Sequence, residues 1–141
     1  MPSDLQPLGL AIKRVQDRHH RALDAALIEI GTTLAQWNAL RTIARHPDSS
    51  SHKLAGLTFQ TDQSFGALAN RMVDRGLIRR VAGEGRAILH YLTPEGEFML
   101  EAGRGAAERV LAASFGRLTK VERQQLQALL NKLLEGPEGI T

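Results

Sequence analysis

The chain has 141 residues, 43% of them hydrophobic and 23% charged, and 18 basic residues against 15 acidic ones give a net charge of +3. This length suits one domain that buries a core without needing a metal ion, and the balanced composition predicts a folded chain with any disorder confined to its two ends. Lack of cysteine excludes disulfides and thiolate zinc sites, and lack of a membrane-length apolar run or a signal-peptide pattern leads us to expect a cytoplasmic protein with no membrane partner.

Three helices are predicted in the first part of the chain. Apolar residues recur at helical spacing along residues 5–30, and Gly31 ends this first long helix. The same spacing over residues 34–44 predicts a second helix, and Pro47 marks the break after it. Ser50 is suited to cap a short third helix, because its hydroxyl can accept a hydrogen bond from an amide of the first turn.

A fourth helix is predicted after a turn at residues 58–60. Thr61 or Asp62 caps its start, and the helix ends at Arg75. Gly76 follows as a residue that can adopt a left-handed conformation. The third and fourth helices therefore form a pair joined by a short turn.

The apolar pattern changes its period after this helix pair. Residues 77–82 and 87–92 are predicted to be two strands, and Gly83 and Gly85 give the loop between them the freedom that a hairpin needs. The chain therefore places a hairpin directly after two helices.

Two more helices are predicted at the end of the chain. Thr93 caps the first and Pro94 opens it, since proline is tolerated where an amide has no helical partner. Thr119 and Glu122 form a T-x-x-E capping box that opens the last helix. A glycine and a proline at residues 136 and 137 stop it.

Basic residues are concentrated around the predicted hairpin. Only Asp74 and Glu84 oppose the local arginines, which are Arg71, Arg75, Arg79, Arg80 and Arg86. Such a cluster suits a polyanion, because each phosphate contact releases counterions and the arginine fork matches phosphate oxygens. A solvated face without a partner is the alternative interpretation.

Short motifs in this order of elements resemble those of the multiple-antibiotic-resistance (MarR) family of regulators. The motifs are LAQW at residues 34–37, LA at 54–55, RMVDRGLIRR at 71–80, EGR at 84–86 and LTPEG at 92–96. The LTKVE stretch from Leu118 is similar to the start of the family's last helix. The chain departs from the family at Thr58 and Phe59, where an apolar residue and a glycine are common.

The resemblance implies a mainly α fold, a winged helix-turn-helix with a two-stranded β wing and N- and C-terminal dimerisation helices. Residues 1–141 would form one domain, with dimerisation helices at 5–30 and 94–136 and a DNA-binding core at 34–93. The apolar stripes of the first and last helices exceed what one small winged helix can bury, which also indicates a partner. A purely intramolecular core is the alternative.

The function implied by the resemblance is transcription regulation. A homodimer would bind a pseudo-palindromic operator in double-stranded DNA, act as a repressor, and be released by a small aromatic or phenolic effector. The alternative is a protein-interaction module whose basic wing binds an acidic partner. We expect no enzyme activity, because the chain shows neither a phosphate-binding glycine loop nor a nucleophile with a nearby base.

Outward residues of the fourth helix are the candidates for contact with the major groove. The amides of Gln63 and Asn70 are suited to base edges, whereas Ser64 and Arg71 are suited to phosphates. Gly66 costs about 1 kcal/mol in a helix relative to alanine, which a close approach of the backbone to DNA would offset. A tolerated glycine without a role is the alternative.

The hairpin tip supplies the candidate for the minor groove. Arg86 can read a narrow groove through its negative potential, and Glu84 would orient Arg86 or pair with it in the absence of DNA. An exposed pair of little consequence is the alternative. The full predicted DNA-contacting set is Ser50, Asp62, Gln63, Ser64, Gly66, Ala67, Asn70, Arg71, Arg80, Glu84 and Arg86.

An effector pocket is expected, by the resemblance, between the dimerisation helices and the winged region. By position, His19, His20, Trp37 and Arg41 are the candidate lining residues, although Trp37 also suits a core. His20 and Asp24 are spaced as a possible pair of metal ligands, but without cysteine or a second pair we expect neither a metal site nor a cofactor.

Overall fold

The computed structural model describes residues 4–136 and contains, within them, six helices and three short strands. In chain order these are α1 (Leu5–Glu29), α2 (Leu34–Arg45), β1 (Ser49–Ser50), α3 (Ser51–Leu57), α4 (Asp62–Asp74), β2 (Ile78–Ala82), β3 (Ile88–Leu92), α5 (Pro94–Phe115) and α6 (Lys120–Leu134). The predicted helices and hairpin are confirmed. The predicted proline stop at residue 137 lies outside the described residues.

Side-chain caps fix the start of five helices, because each supplies an oxygen to an amide that has no partner in the first turn. The capping residues are Thr33 for α2, Ser50 for α3, Thr61 for α4, Thr93 for α5 and Thr119 for α6. The predicted capping box between Thr119 and Glu122 is formed in both directions. Between the two predicted caps of α4, Thr61 rather than Asp62 is the residue that caps.

The wing is part of a three-stranded antiparallel sheet with the order β1-β3-β2. β2 and β3 form the predicted hairpin, and β1 adds a strand that the sequence did not reveal. Ser49 lies opposite His90, and Ser50 lies opposite Leu89. Two serines show no alternating pattern, so this pairing depends on the tertiary fold alone.

The hydrophobic core lies among the end of α1, helices α2, α3 and α4, the start of β2 and the inner side of α5. Its largest fully buried apolar side chains are Leu27, Leu40, Leu54, Phe65 and Met72. The predicted DNA contacts of α4, such as Gln63 and Asn70, lie on the exposed side of that helix. No helix in residues 4–136 is long and apolar enough to cross a membrane.

His90 is fully buried at the base of the wing. Its Nδ1 lies 3.2 Å from the carbonyl oxygen of Ser49, and its Nε2 lies 3.3 Å from Oγ of Ser51. Because a carbonyl only accepts hydrogen bonds, the neutral ring carries its proton on Nδ1, and the Ser51 hydroxyl donates to Nε2. Burial is the main cause that lowers the pKa of His90.

Trp37 joins α2 to α5 through a close contact with a glycine. Its indole Nε1–H donates to the carbonyl of Leu100 at 3.1 Å. A Cβ atom at Gly103 would lie 2.1 Å from Nε1 of Trp37, far inside van der Waals contact. The indole therefore fits against α5 only because residue 103 has no side chain.

The terminal helices leave apolar surface uncovered. No residue of α6 is buried. The exposed large apolar residues of α1 and α6 include Leu5, Leu8, Ile12 and Val15 in the first and Leu129, Leu133 and Leu134 in the second. The surplus apolar stripes predicted from the sequence are thus present on the folded chain.

Candidate nucleic-acid interface

Helix α4 presents the predicted recognition residues on its outer face. Its inner face is buried through Phe65, Leu68, Ala69 and Met72. Gly76 follows the helix with a φ of 75°, as predicted for a left-handed residue. The exposed predicted contacts on α4 are Asp62, Gln63, Ser64, Ala67, Asn70 and Arg71, while Gly66 is half-buried.

A hydrogen bond connects the recognition helix to the wing. Nη2 of Arg80 in β2 donates to Oδ1 of Asn70 in α4 at 2.7 Å. Because a guanidinium only donates, this contact fixes the orientation of the amide and leaves its amino group on the opposite side. Two residues predicted as separate DNA contacts are therefore brought together, and Oδ1 of Asn70 is already occupied by Arg80.

A histidine that the sequence prediction missed accompanies the first residue of α4. Nδ1 of His52 in α3 lies 3.0 Å from each carboxylate oxygen of Asp62. Both side chains are exposed, so the pair contributes little to stability. The imidazole therefore lies beside the acidic residue in the first turn of α4.

The arginine cluster predicted as one basic patch divides in the structure. The guanidinium of Arg79 lies 5.0 Å above the ring centre of Tyr91, and Arg80 bonds to α4. Arg75 turns away from the wing toward the start of α2. Arg86 stays exposed at the hairpin tip. Successive side chains of a strand point to opposite faces of the sheet, which explains why Arg79 and Arg80 contact different elements.

The wing tip is formed by a tight loop in which Gly85 has a φ of 63°. The ion pairs within residues 4–136 do not include Glu84 with Arg86, so the predicted pairing in the absence of DNA is not formed. Both side chains are exposed to water, where screening leaves little gain from holding two charges together. Ser50, the remaining predicted contact, is half-buried as the cap of α3.

Phe59 occupies the turn between α3 and α4 in an unusual way. Its φ is 58°, a left-handed value in which a glycine is more common, and its side chain is 97% exposed. The amide of Gln60 donates to the carbonyl of Ala55 at 2.9 Å and closes the turn around it. The turn that departs from the family motif is therefore closed by a backbone hydrogen bond and carries an exposed aromatic ring.

A cleft of about 860 Å³ separates α1 and α2 from the turn that carries Phe59. His20 and Arg41, two of the four predicted effector residues, line it. Its other charged or titratable lining residues are Asp24, Arg45, His46 and Arg71. Basic groups outnumber acidic ones here, which suits an anionic ligand.

A smaller groove of about 330 Å³ lies beside this cleft and shares Arg41 and Arg45 with it. Trp37 and Arg41 line it, with Arg41 stacked 4.6 Å from the indole ring centre. Burial first, and then the charges of Arg45 and Arg104, lower the pKa of Arg41. These arginines repel one another, and a bound anion would relieve that repulsion.

The side chains of His19 and Asp24 connect α1 to other helices. Nε2 of His19 lies 2.7 Å from Oγ of Ser114, which places the ring against α5 and outside both clefts. Oδ1 of Asp24 accepts the amide of Leu34 at 2.9 Å, which connects α1 to the first turn of α2. Within residues 4–136 no group of three metal-ligating side chains is assembled.

Known proteins are similar to this chain in sequence and in fold. A model of the MarR family matches residues 30–87. The HTH-type transcriptional repressor Rv2887 of Mycobacterium tuberculosis is 28% identical over 133 residues, which are 93% of this chain and 96% of the repressor. Transcriptional regulator HosA of Escherichia coli is 30% identical over 104 residues, which are 72% of this chain and 77% of HosA. The chain belongs to the MarR family.

Solved structures agree with the MarR assignment. A probable transcriptional regulator from Pseudomonas aeruginosa is 31% identical and superposes with a TM-score of 0.76 over 89% of this chain and 95% of its own. Rv2887 in complex with DNA gives a TM-score of 0.78 at 25% identity, over 90% of this chain and 97% of that one. Rv2887 in complex with salicylic acid gives a TM-score of 0.75 at 28% identity, over 90% of this chain and 96% of that one. The MarR resemblance and winged-helix fold predicted from the motifs are confirmed.

Proposed function

We propose that this protein is a transcriptional repressor of the MarR family rather than an enzyme. It binds a pseudo-palindromic DNA operator in the cytoplasm as a homodimer, and a small aromatic or phenolic acid releases it. The observation that carries the proposal is the bond between Arg80 and Asn70, which makes the wing and the recognition helix one surface. The related Rv2887 has been solved with DNA and with salicylic acid.

In the proposed complex, α4 enters the major groove and the hairpin tip reaches the minor groove. Gln63 and the amino group of Asn70 contact base edges, because amides are suited to the hydrogen-bonding groups exposed there. Ser64 and Arg71 contact phosphates and set the register. Arg86 enters the minor groove, where the negative potential is strongest when the groove is narrow.

The two halves of the operator require two copies of the chain. We assign residues 34–93 to DNA binding and residues 5–30 and 94–136 to dimerisation. The uncovered apolar residues of α1 and α6, such as Leu8 and Leu133, support this division because a second copy would bury them. Dimers of this kind bind half-sites about 34 Å apart along the duplex.

Effector release follows from the position of Arg71. This residue belongs to the DNA-facing side of α4 and also lines the larger cleft with His20 and Arg41. An aromatic carboxylate in the cleft would attract the guanidinium of Arg71 and compete with a phosphate for it. Ligand and operator would thus favour different positions of one side chain.

The decisive experiment measures binding of the purified protein to the DNA upstream of its own gene, at physiological salt with excess random competitor DNA. Arg86→Ala is expected to weaken specific binding about tenfold and to reduce the dependence of affinity on salt. Arg79→Ala removes the same charge from the same hairpin but from the face that stacks on Tyr91. This matched control is expected to bind close to wild type.

Equal binding to specific and random DNA would count against the proposal. Selection from a random duplex pool would then show whether another operator exists. If no sequence is enriched, the alternative of a basic wing that binds an acidic protein partner is favoured.

Salicylic acid is the first effector to test. It is expected to lower operator affinity in wild type and to have less effect on Arg41→Gln, which lacks a cation in both clefts. Arg109→Gln is the control, since this exposed arginine of α5 is outside the lining of the two clefts. Equal release of all three proteins would exclude Arg41 as an effector contact.

A further inference from the structure

One side chain connects the end of the recognition helix to the joint between the first two helices. Arg75 directly follows α4, and its Nη1 donates to Oε1 of Gln36 at 2.7 Å. Its Nη2 donates to the carbonyl oxygen of Gly31. Gly31 lies between α1 and α2, and Gln36 lies in the first turn of α2. A single guanidinium therefore contacts both sides of this joint.

The acceptors of Arg75 are held in place by contacts that do not involve Arg75. Gln36 is buried, and its Oε1 also accepts a hydrogen bond from the hydroxyl of Thr32 at 3.1 Å. Because both partners of this oxygen are donors, the orientation of the amide is fixed. Gly31 has a φ of 97°, a left-handed value that few other residues adopt, so the backbone that carries the second acceptor is itself specialised.

Arginine is suited to this position in a way that lysine is not. The guanidinium offers several donors in one rigid plane, so it can bond to a side-chain oxygen and a backbone oxygen at once. A lysine ammonium is a compact charge on a flexible stem and does not fix the angle between two acceptors. The contact at Arg75 therefore restrains direction as well as distance.

This restraint matters because α1 and α4 have different tasks. The exposed apolar stripe of α1 places it at the partner subunit in the proposed homodimer, whereas α4 reads DNA. The angle between α1 and α4 within one chain then sets the separation of the two recognition helices. A small rotation at the joint would move each recognition helix out of its half-site.

We propose that Arg75 is a positioning residue that sets the spacing of the two recognition helices by fixing α4 to the α1–α2 joint. The inference rests on the proposed function, and specifically on the homodimer. Arg75 is assigned no DNA contact, since its guanidinium faces Gln36 and Gly31. Its effect on DNA binding is therefore indirect.

The test uses the absence of cysteine from the chain. Ala67→Cys places one spin label on the exposed face of α4, so a homodimer carries two labels and gives one distance. In the parent protein we expect a single narrow distance distribution by electron spin resonance. Adding Arg75→Ala or Arg75→Lys is expected to broaden the distribution at least about twofold or to shift its centre.

Two further variants separate positioning from general stability. Gln36→Met removes the side-chain acceptor while keeping an unbranched side chain, and it is expected to broaden the distribution as Arg75→Ala does. Arg79→Ala removes an arginine from the same cluster without touching the joint, and it is expected to leave the distribution unchanged. Light scattering and circular dichroism verify that every variant is a folded dimer.

The outcomes distinguish this inference from the proposed function. If Arg75→Ala and Gln36→Met lower the melting temperature but keep the narrow distance, Arg75 is structural only and the inference is overturned. If the parent protein has the mass of one chain and shows no distance between labels, the homodimer itself is wrong and the inference falls with it. A dimer whose distance broadens in both variants, but not in Arg79→Ala, supports it.

Discussion

The winged region and the terminal helices of this chain are stabilised in opposite ways. In the winged region, side chains such as Leu40, Leu54 and Phe65 are completely buried within one chain. In α6 no residue is buried, and in α1 the buried residue is Leu27. The winged region therefore buries its apolar side chains within one chain, with Leu27 of α1 and the inner side of α5 as part of the same core, whereas the outer faces of α1 and α6 stay uncovered.

The largest expected effect comes from charging the uncovered face of α6. Leu129→Glu combined with Leu133→Glu should convert the dimer to a species with the mass of one chain, because carboxylates cannot be buried without partners. Operator affinity should fall about 100-fold, since two linked half-site contacts become independent. Light scattering and operator titration measure the two effects, while the fluorescence of Trp37 should stay native.

The matched control for α6 adds the same charge to its polar face. Gln124→Glu with Gln127→Glu changes exposed residues about half a turn away from Leu129 and Leu133. It should remain dimeric and bind the operator. A dimeric Leu129→Glu, Leu133→Glu protein would show that the uncovered stripe of α6 is not an interface.

The opposite test disturbs the packing of the core and leaves the uncovered faces of α1 and α6 unchanged. Gly103→Ala forces a methyl group against Trp37 and should lower the free energy of unfolding by about 3 kcal/mol. Gly105→Ala, in the same helix, meets only the end of Arg109 at 3.7 Å and should stabilise slightly. Urea titration followed by Trp37 fluorescence at one protein concentration compares them. Equal stability of the two variants would contradict the packing described for Trp37.

Acid is expected to weaken the winged region through His90. Burial lowers the folded-state pKa of His90, so the unfolded chain takes up the proton first as the pH falls. Stability from this group is present above about pH 6.5 and decreases below it, by at most about 1.4 kcal/mol at pH 5.5. Urea midpoints at pH 7.5 and 5.5 should differ more for wild type than for His90→Gln. An equal difference would mean that other groups cause the acid sensitivity.

The smallest expected effect tests how closely α4 approaches DNA. A Cβ atom at Gly66 meets no other atom within 4 Å, so Gly66→Ala should raise stability by about 1 kcal/mol. If the backbone lies against DNA at this point, the same change should lower operator affinity about tenfold, which is about 1.4 kcal/mol. Unchanged affinity in a more stable protein would assign Gly66 no role in binding.

Much of the fold could be predicted because it depends on local chemistry. Apolar spacing and hydroxyl caps such as Thr93 and Thr119 depend on neighbours within one turn, and these predictions are confirmed. The strand β1 was missed because its two serines form a strand only through pairing with β3. The residues that make Ser49 and Ser50 a strand are therefore those of β3, about 40 positions later in the chain.

The contacts of the candidate site were less predictable for the same reason. Asn70 and Arg80 are ten residues apart, as are His52 and Asp62, and each pair meets only because of the angle between two elements. The periodicity of α4 indicates which residues point outward, but it does not indicate which partner each one meets. Arg75 is the clearest example. Its place in the sequence predicted that it belongs to the basic patch, but its side chain contacts Gln36 instead.

The contact between Trp37 and Gly103 also has a consequence for how this sequence can evolve. The indole occupies the space that a side chain on residue 103 would need. A larger residue at position 103 is therefore expected only together with a smaller residue at position 37. The two positions are expected to change together or not at all, although 66 residues separate them in the chain. A relative that has tryptophan at the position of Trp37 is therefore expected to have glycine at the position of Gly103.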